Sequence, residues 1–188
     1  MKPLGKIVRL QIQRSRLKLG EKPNQYYDPS ALVAVNELRL TSQGALAIVN
    51  GETLLDIHHT DHPDTRNNNG ANDLSIGFTS HYQTMRARYG DHVVDGCAGE
   101  NILVAMDSRV DLTQIQNGLI IGDAASAVRL NDLMVALPCA PFSKFVSKSN
   151  DAQTVKATLQ FLDDGTRGFY CVVNQEATIR VGDEVVVG

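Results

Sequence analysis

The 188-residue sequence predicts a mainly β fold, a barrel or sandwich that carries two or three peripheral helices. Three observations favour this class. Most apolar residues fall in short runs, several of which alternate with polar residues in the way that half-buried strands do. Glycine, asparagine and aspartate separate these runs at short intervals, and helical periodicity occurs in only two or three places.

The first part of the chain is predicted to form short strands separated by loops. Residues 7–13 alternate, which places Val8, Leu10 and Ile12 on the buried face of a strand. Two prolines and a glycine indicate a loop over residues 18–30. Three further strands are predicted, over residues 33–40, 45–49 and 54–57.

A long polar loop and one clear helix follow. Residues 58–72 contain a proline, three consecutive asparagines and a glycine, and long ordered loops in compact domains often carry function. Apolar residues at helical spacing predict a helix over residues 80–89. Ser80 and Gln83 fit a capping box at its start, and Gly90 is expected to end it.

The rest of the chain is predicted to consist of short strands with two more helical segments. Apolar spacing indicates a helical turn over residues 142–146 and a second helix that includes Val155 and ends near Gly165. The predicted strands cover residues 101–105, 119–121, 125–130, 134–137, 169–173, 178–181 and 184–187.

Composition and charge exclude several classes of protein. Hydrophobic residues make up 43% of the chain and charged residues 21%, a balance typical of a folded domain and not of a disordered chain or a coiled coil. The length indicates one domain over residues 1–188. A net charge of −3 argues against nucleic-acid binding, although residues 1–22 hold seven of the 18 basic residues.

Membrane insertion and export are not expected. No apolar run approaches the roughly 20 residues that a membrane-spanning helix needs. The first residues lack the apolar stretch of a secretory signal, so we expect a cytoplasmic protein. Cys97, Cys139 and Cys171 are too few and too scattered for a disulfide framework, which makes their reactivity the open question.

Cys139 is the strongest candidate for a reactive group. It follows an apolar strand and lies between Pro138 and Pro141, which fix the backbone and keep the thiol at a strand end. Such a thiol can act as a nucleophile, carry a persulfide or bind a soft metal if its pKa is lowered. Lys144 and Lys148 are near enough in sequence to lower it. The alternative is a buried cysteine that only packs.

Three other polar residues could contact a ligand. Glu100 and Asn101 follow a glycine-containing turn, where they could bind polar ligand groups or simply hold the turn together. Arg167 opens a strand, and its guanidinium suits an anion such as phosphate, although it could also cap a surface turn. No P-loop, dinucleotide fingerprint or Ser-His-Asp hydrolase motif occurs in the sequence.

A group of histidines offers a different chemistry. His58, His59 and His62 lie in the long loop and could hold zinc. Pro63 disfavours a helical conformation at His62, and the glutamate of the zinc-protease motif is absent. A solvated loop with one histidine in a hydrogen-bond network is therefore the alternative that the sequence favours.

Five short segments occur in a characteristic order. They are Gly99-Glu100-Asn101-Ile102, Ile121-Gly122-Asp123, Pro138-Cys139, Arg167-Gly168-Phe169-Tyr170 and Val181-Gly182-Asp183-Glu184-Val185. In this order they resemble the MOSC domain, the module named for the carboxy-terminal part of molybdenum cofactor sulfurases. The resemblance covers nearly the whole chain and is densest over residues 93–188. The segment Asp56-Ile57-His58-His59 also resembles stand-alone bacterial members.

The resemblance implies a barrel-like β fold and a role in sulfur or molybdenum-cofactor chemistry. Family members include sulfurases, in which a pyridoxal-phosphate desulfurase domain precedes the module, and reductases that act on N-hydroxylated compounds. A chain of 188 residues is not expected to contain a pyridoxal-phosphate domain. A sulfur donor or an electron-transfer protein is therefore the expected partner, with a small molecule as ligand.

The resemblance also implies the site residues. Cys139 would carry sulfur or bind molybdenum, and Arg167 together with a lysine such as Lys144 would hold the phosphate of the cofactor. The remaining implied cofactor-binding residues are Glu100, Asn101, His58 and His59. The alternative is a non-catalytic module that uses the same cleft for a small anion or a partner protein.

Overall fold

A computed structural model of the chain describes residues 3–66, 73–122 and 127–188, which form fourteen strands and four α-helices. The strands are β1 (Pro3–Gln13), β2 (Lys18–Leu19), β3 (Tyr26–Tyr27), β4 (Leu32–Val35), β5 (Glu37–Thr41), β6 (Gly44–Val49), β7 (Glu52–Leu55), β8 (Leu74–Phe78), β9 (Ile102–Val104), β10 (Leu119–Ile121), β11 (Val128–Val135), β12 (Phe169–Val173), β13 (Ala177–Arg180) and β14 (Glu184–Val187). The helices are α1 (Thr79–Tyr89), α2 (Leu112–Ile115), α3 (Ala140–Ser147) and α4 (Ala152–Leu162).

Seven strands close into a barrel in the order β14, β10, β11, β12, β8, β9 and β1, and pairing between β1 and β14 completes the circle. Neighbouring strands are antiparallel except for β8 and β9, which run parallel. Closure leaves no strand edge of the barrel unpaired. The predicted mainly β barrel is confirmed. The described residues contain four α-helices where two or three were predicted, because the four residues of α2 are too few to show a helical period.

A second sheet of four strands stands beside the barrel in the order β13, β5, β6 and β7. The single strand predicted over residues 33–40 is in fact β4 and β5, which belong to different sheets. The chain changes sheet at Asn36, whose carbonyl accepts a hydrogen bond from the Val181 N–H at 3.0 Å. β4 pairs with the second half of β1, and the short strands β2 and β3 pair with each other.

Apolar side chains fill the barrel, but one predicted core residue faces outward. Leu10 and Ile12 are buried as expected, whereas Val8 is 47% exposed and Ile7 is buried in its place. The pairing of β1 with β9 shifts register between Ile7 and Arg9. Such a bulge reverses the inward alternation along the strand, which simple alternation of residue types cannot reveal.

The strand β8 and the start of α1 differ from the prediction. All five residues of β8 are buried, and no strand was predicted there because Ser75 and Gly77 interrupt its apolar pattern. The predicted helix is confirmed as α1 and ends at Gly90. The predicted capping box at Ser80 is wrong, because the helix begins after Phe78 and Ser80 is buried within the first turn.

The helices enclose a second apolar cluster outside the barrel. It joins Tyr82 and Met85 of α1 to Phe142 and Val146 of α3 and to Leu162 of α4. The predicted helical segments near residues 142–146 and 155–162 are therefore confirmed as α3 and α4. This cluster fixes the start of α3 against one end of the barrel.

Several segments converge at that end of the barrel. β11 ends and β12 begins there, because Val135 pairs with Phe169. The turn before β12 is tight: Gly168 has a φ of 113°, and a Cβ atom at this position would lie 2.7 Å from the Ile76 carbonyl oxygen. A side chain would clash with the backbone of β8.

Two predicted features lie partly outside the described residues. These are the end of the long loop, residues 67–72, and the Asp123 turn with the start of the strand predicted over residues 125–130. Within the described ranges, the strands predicted over 125–130 and 134–137 form one strand, β11. No helix in these ranges is both long enough and apolar enough to cross a membrane.

Candidate functional site

A cavity of about 350 Å³ opens at the end of the barrel where β11 and β12 meet. Cys139, Arg167, Glu100, His58 and Tyr27 all line it, and we call it the thiol pocket. Its volume is within the range of small-molecule sites in proteins. The pocket brings together four predicted site residues that lie far apart in the sequence, namely His58, Glu100, Cys139 and Arg167.

Cys139 lies at the junction between β11 and α3. It is the residue immediately before the helix, and its carbonyl accepts the first helical hydrogen bond, from the Ser143 N–H at 2.9 Å. The side chain is partly exposed. The thiol is therefore accessible to a ligand in the pocket, as a nucleophile or a metal ligand must be.

Arg167 is held in place by three contacts. Its guanidinium donates to the Ala98 carbonyl at 3.2 Å and to the Tyr170 hydroxyl at 3.5 Å, and it lies 5.7 Å from the centre of the Phe142 ring. Its Nε atom is buried without a hydrogen-bond partner. Burial lowers the pKa of Arg167, but Tyr170, Tyr27 and the Cys139 sulfur raise it above the ordinary value overall. The guanidinium therefore remains charged at every physiological pH.

Glu100 lies on the inner wall of the thiol pocket and is only 4% exposed. Its Oε2 atom accepts a hydrogen bond from the Tyr82 hydroxyl at 2.8 Å, whereas its Oε1 atom is buried without a partner. Burial raises the pKa of Glu100 from 4.5 to about 7, although the Tyr82 hydrogen bond and the charge of Arg167 lower it in part. Glu100 is therefore able to take up or release a proton near neutral pH.

The shifted pKa makes a prediction about stability. A carboxyl group whose pKa is higher in the folded protein stabilises the fold at low pH, and this contribution is lost as the pH rises through 7. Glu100→Gln removes the ionisation. As the pH rises from 5 to 8, the wild type should lose unfolding free energy through Glu100 and the variant should not. The variant should therefore become about 2–3 kcal/mol more stable relative to the wild type over this pH range.

Urea denaturation of both proteins at the two pH values measures this difference. Glu52→Gln is the matched control, because Glu52 is exposed on β7. The control should leave the pH dependence of stability unchanged. Parallel stability curves for Glu100→Gln and the wild type would contradict the prediction.

His58 enters the pocket from the loop after β7, supported by a buried carboxylate. Its Nδ1 atom donates to Asp56 Oδ1 at 2.8 Å, and Asp56 is completely buried. Asp56 Oδ2 also accepts from the Asn101 side chain at 2.7 Å and from the Gln13 N–H at 2.8 Å. Because Nδ1 is engaged, Nε2 of His58 is the ring nitrogen left to face a ligand.

Three of the implied site residues do not line the thiol pocket. Asn101 is buried behind the pocket wall and holds Asp56 and Ser75. His59 is also buried, and its Nδ1 accepts a hydrogen bond from the Asp61 N–H at 3.2 Å. Lys144 lines a different cavity, on the far side of Tyr27. Asn101 and His59 therefore support the site, and Lys144 faces another surface.

The pocket contains three cationic side chains that the site prediction did not include. Arg16 and Lys18 come from the basic amino-terminal segment, and Arg66 comes from the long loop. Together with Arg167 they give the pocket wall four cations, against the single carboxyl group of Glu100. The concentration of basic residues near the amino terminus was the only sequence signal for this set. The pocket is suited to an anionic ligand.

The other two thiols are enclosed. Cys97 is 2% exposed, and burial, reinforced by the charges of Glu100 and Asp95, raises its pKa to about 12. Cys171 is fully buried in β12, where burial raises its pKa even further. Burial therefore shields both of these thiols from reagents in solution.

The histidines of the loop form hydrogen bonds with nearby residues and do not converge on a metal site. His62 accepts a hydrogen bond from the Asp64 N–H at 3.0 Å, and its other ring nitrogen is 3.1 Å from the Arg14 carbonyl oxygen. In the described ranges, no three His, Cys, Asp or Glu side chains converge as metal ligands. The zinc alternative has no support in this part of the chain.

Comparison with known families decides the assignment. The sequence profile of the MOSC domain matches residues 65–186, which is more than half of the chain. The chain belongs to the MOSC family. The match includes Glu100, Cys139 and Arg167, so the MOSC region supplies most of the thiol pocket. The MOSC family is associated with molybdenum cofactor sulfurase-like modules.

Solved structures share the MOSC barrel seen here. The YuaD protein from Bacillus subtilis is 14% identical, with a TM-score of 0.60 over 96% of this chain and 93% of that one. YiiM from Geobacillus stearothermophilus is 18% identical, with a TM-score of 0.57 over 97% of this chain and 74% of that one. No curated protein matches the chain in sequence. At these identities the likeness shows the fold alone.

Proposed function

We propose that the thiol pocket binds an anionic cofactor or substrate of the molybdenum-cofactor class, with Cys139 as the group that ligates molybdenum or carries sulfur. One observation carries this proposal. A partly exposed thiol at a helix N-terminus shares a cavity with four cationic side chains. Thiolates are preferred ligands of soft metals, and arginine and lysine are preferred partners of phosphate.

The chain's residues fit the molybdenum cofactor in charge and chemistry. The cofactor needs one soft protein ligand and cations for its phosphate, and Cys139 and Arg167 would supply these two functions. The partnerless Oε1 of Glu100 offers a further polar contact inside the pocket. When bound, the cofactor would supply two-electron redox chemistry to a substrate such as an N-hydroxylated compound.

The residues of the pocket would have distinct roles in such a reaction. Arg167, fixed by Ala98 and Tyr170, would orient the anionic group without having to be ordered first. His58, held by Asp56, and Glu100, with a pKa near neutral, are the groups able to hold or release a proton. A redox role also requires an electron-transfer protein as partner.

A sulfur-carrier role uses the same thiol in a different step. The Cys139 thiolate would attack the outer sulfur of a donor persulfide, forming a persulfide on Cys139 and releasing the donor's thiolate. No external oxidant or reductant is needed, because the sulfur moves between two thiol groups. A desulfurase or another persulfide-bearing protein would be the donor.

Analysis of the protein's molybdenum and sulfur content tests both roles. The protein is purified from a host that makes molybdenum cofactor, and a sample is exposed to a persulfide donor. We expect about one equivalent of molybdenum per chain, or a mass increase of one sulfur atom on Cys139, and loss of either signal in Cys139→Ser. Cys97→Ser is the control and should retain the signal, because Cys97 is buried.

Two results would contradict the proposal. The first is a wild-type protein that retains neither molybdenum nor sulfur under these conditions. The second is a signal that survives in Cys139→Ser. A small anion bound equally well by both proteins would then favour the alternative, a non-catalytic module that uses only the cations of the pocket.

A further inference from the structure

Glu100 is an unusual group to find in a pocket that is otherwise cationic. It is almost fully buried, it lines the thiol pocket, and one of its two carboxylate oxygens has no hydrogen-bond partner. A buried, unsatisfied carboxylate oxygen is costly unless a proton or a ligand satisfies it. The proposed roles of Cys139 and Arg167 do not by themselves satisfy this oxygen.

The surroundings of Glu100 restrict how it can be satisfied. The titratable or charged groups that act on it are Tyr82, Tyr27, Cys97, Arg167 and Arg9. Tyr82 donates to Oε2 and approaches from α1. Burial raises the pKa of both tyrosines and of Cys97, so all three stay neutral near pH 7. Only the two arginines carry charge, and neither forms a hydrogen bond that satisfies Oε1.

We infer that Glu100 takes up a proton when an oxyanion enters the thiol pocket and then donates a hydrogen bond to it. The inference rests on the proposed anion-binding role of the pocket and adds a coupling between ligand affinity and pH. An ionised Glu100 would repel an anion within the same low-dielectric cavity. A protonated Glu100 instead offers a donor at the position where a partner is missing.

The coupling has a defined direction and size. Because the pKa of Glu100 in the free protein is about 7, most molecules carry the proton at pH 6 and few carry it at pH 8. If the protonated form alone binds, the apparent affinity is reduced by the protonated fraction. The affinity for an oxyanion should therefore fall about tenfold between pH 6 and pH 8.

Sulfate is the appropriate probe, because its own charge does not change over this pH range. Calorimetric titration of the full chain with sulfate, in two buffers that differ in ionisation enthalpy, measures the affinity and the number of protons taken up. We expect the wild type to take up close to one proton per sulfate at pH 8 and close to none at pH 6. Glu100→Gln carries a neutral amide and should bind with the same affinity at both pH values.

Two variants address the other titratable groups of the pocket. His58→Gln and Cys139→Ser should each keep the proton uptake at pH 8, even if their sulfate affinity differs from that of the wild type. Infrared difference spectra of the wild type with and without sulfate give a second measurement. The protonated-carboxyl band should grow when sulfate is added at pH 8, which holds even if Glu100→Gln fails to fold.

The outcomes separate this inference from the proposed function. If the wild type does not bind sulfate at either pH, the anion-binding role fails and the inference fails with it. If sulfate binds but Glu100→Gln keeps the pH dependence, or His58→Gln abolishes it, the anion-binding role stands and the inference is overturned. Loss of the pH dependence in Glu100→Gln alone supports the inference.

Discussion

Timed alkylation of the native protein is expected to label Cys139 at least about 100-fold faster than Cys97 or Cys171. A cysteine reacts only as a thiolate that the reagent can reach. Cys139 is the partly exposed cysteine and lies at a helix N-terminus. Cys97, with a pKa of about 12, has a thiolate fraction of roughly 10⁻⁴ at pH 8 even before its burial is considered. Peptide mapping after short reaction times with iodoacetamide measures the three rates.

Denatured protein provides the control, because unfolding removes the differences in burial. All three cysteines should then react at similar rates. Early labelling of Cys97 or Cys171 in the native protein would contradict the prediction and would remove the main reason for assigning Cys139 the central role. Equal and slow labelling of all three would support the non-catalytic alternative.

Asp56→Ala is expected to lower the unfolding free energy by about 3–5 kcal/mol. The buried carboxylate accepts hydrogen bonds from the Gln13 and His58 N–H groups at 2.8 and 3.0 Å, and from the side chains of His58 and Asn101 at 2.8 and 2.7 Å. Alanine would leave these donors unsatisfied in an enclosed space, at a cost of about 1–3 kcal/mol each before water or relaxation compensates. Chemical denaturation measures the change.

Asp61→Ala is the matched control, because Asp61 is exposed in the same loop. We expect it to change stability by less than about 0.5 kcal/mol. Asp56→Asn keeps the size of the side chain and one acceptor oxygen, so its loss should be smaller than that of Asp56→Ala. If Asp56→Ala were no less stable than Asp61→Ala, the network that supports His58 would not have the importance assigned to it.

Lys144 illustrates why nearness in sequence is a poor guide to the site. It follows Cys139 by five residues and was predicted to influence the thiol and to hold phosphate. Those residues form α3, in which successive side chains turn by about 100°. Lys144 consequently points away from the thiol and lines the cavity beyond Tyr27. This position does not support the expected role, because the expectation rested on nearness in sequence alone.

Arg16 and Lys18 illustrate the opposite case. The sequence showed that the amino-terminal segment is basic, but a basic strand is usually only a solvated face. The long strand β1 carries the following residues to the same end of the barrel as Cys139, and there they line the thiol pocket. Their role depends on pairing between β1, β9 and β14, which no local pattern reports.

The sequence by itself determined the type of fold and the family, and it led to the proposal of Cys139 as the central thiol. Alternating apolar residues and frequent turns indicate strands at short range, and the order of five segments identifies the MOSC domain. Cys139 could be selected because its neighbouring prolines and its place after an apolar strand are local features. Its partial exposure agrees with that choice.

Only the tertiary structure decided which polar groups share the pocket and how their protons are held. In the sequence Glu100 could equally have been a ligand contact or a turn residue, but burial raises its pKa to about 7 even though the hydrogen bond from the Tyr82 hydroxyl lowers it in part. That shift arises mainly from the removal of water by segments that are distant in sequence. Desolvation depends on three-dimensional packing, so residue types and their spacing along the chain do not encode it in a readable way.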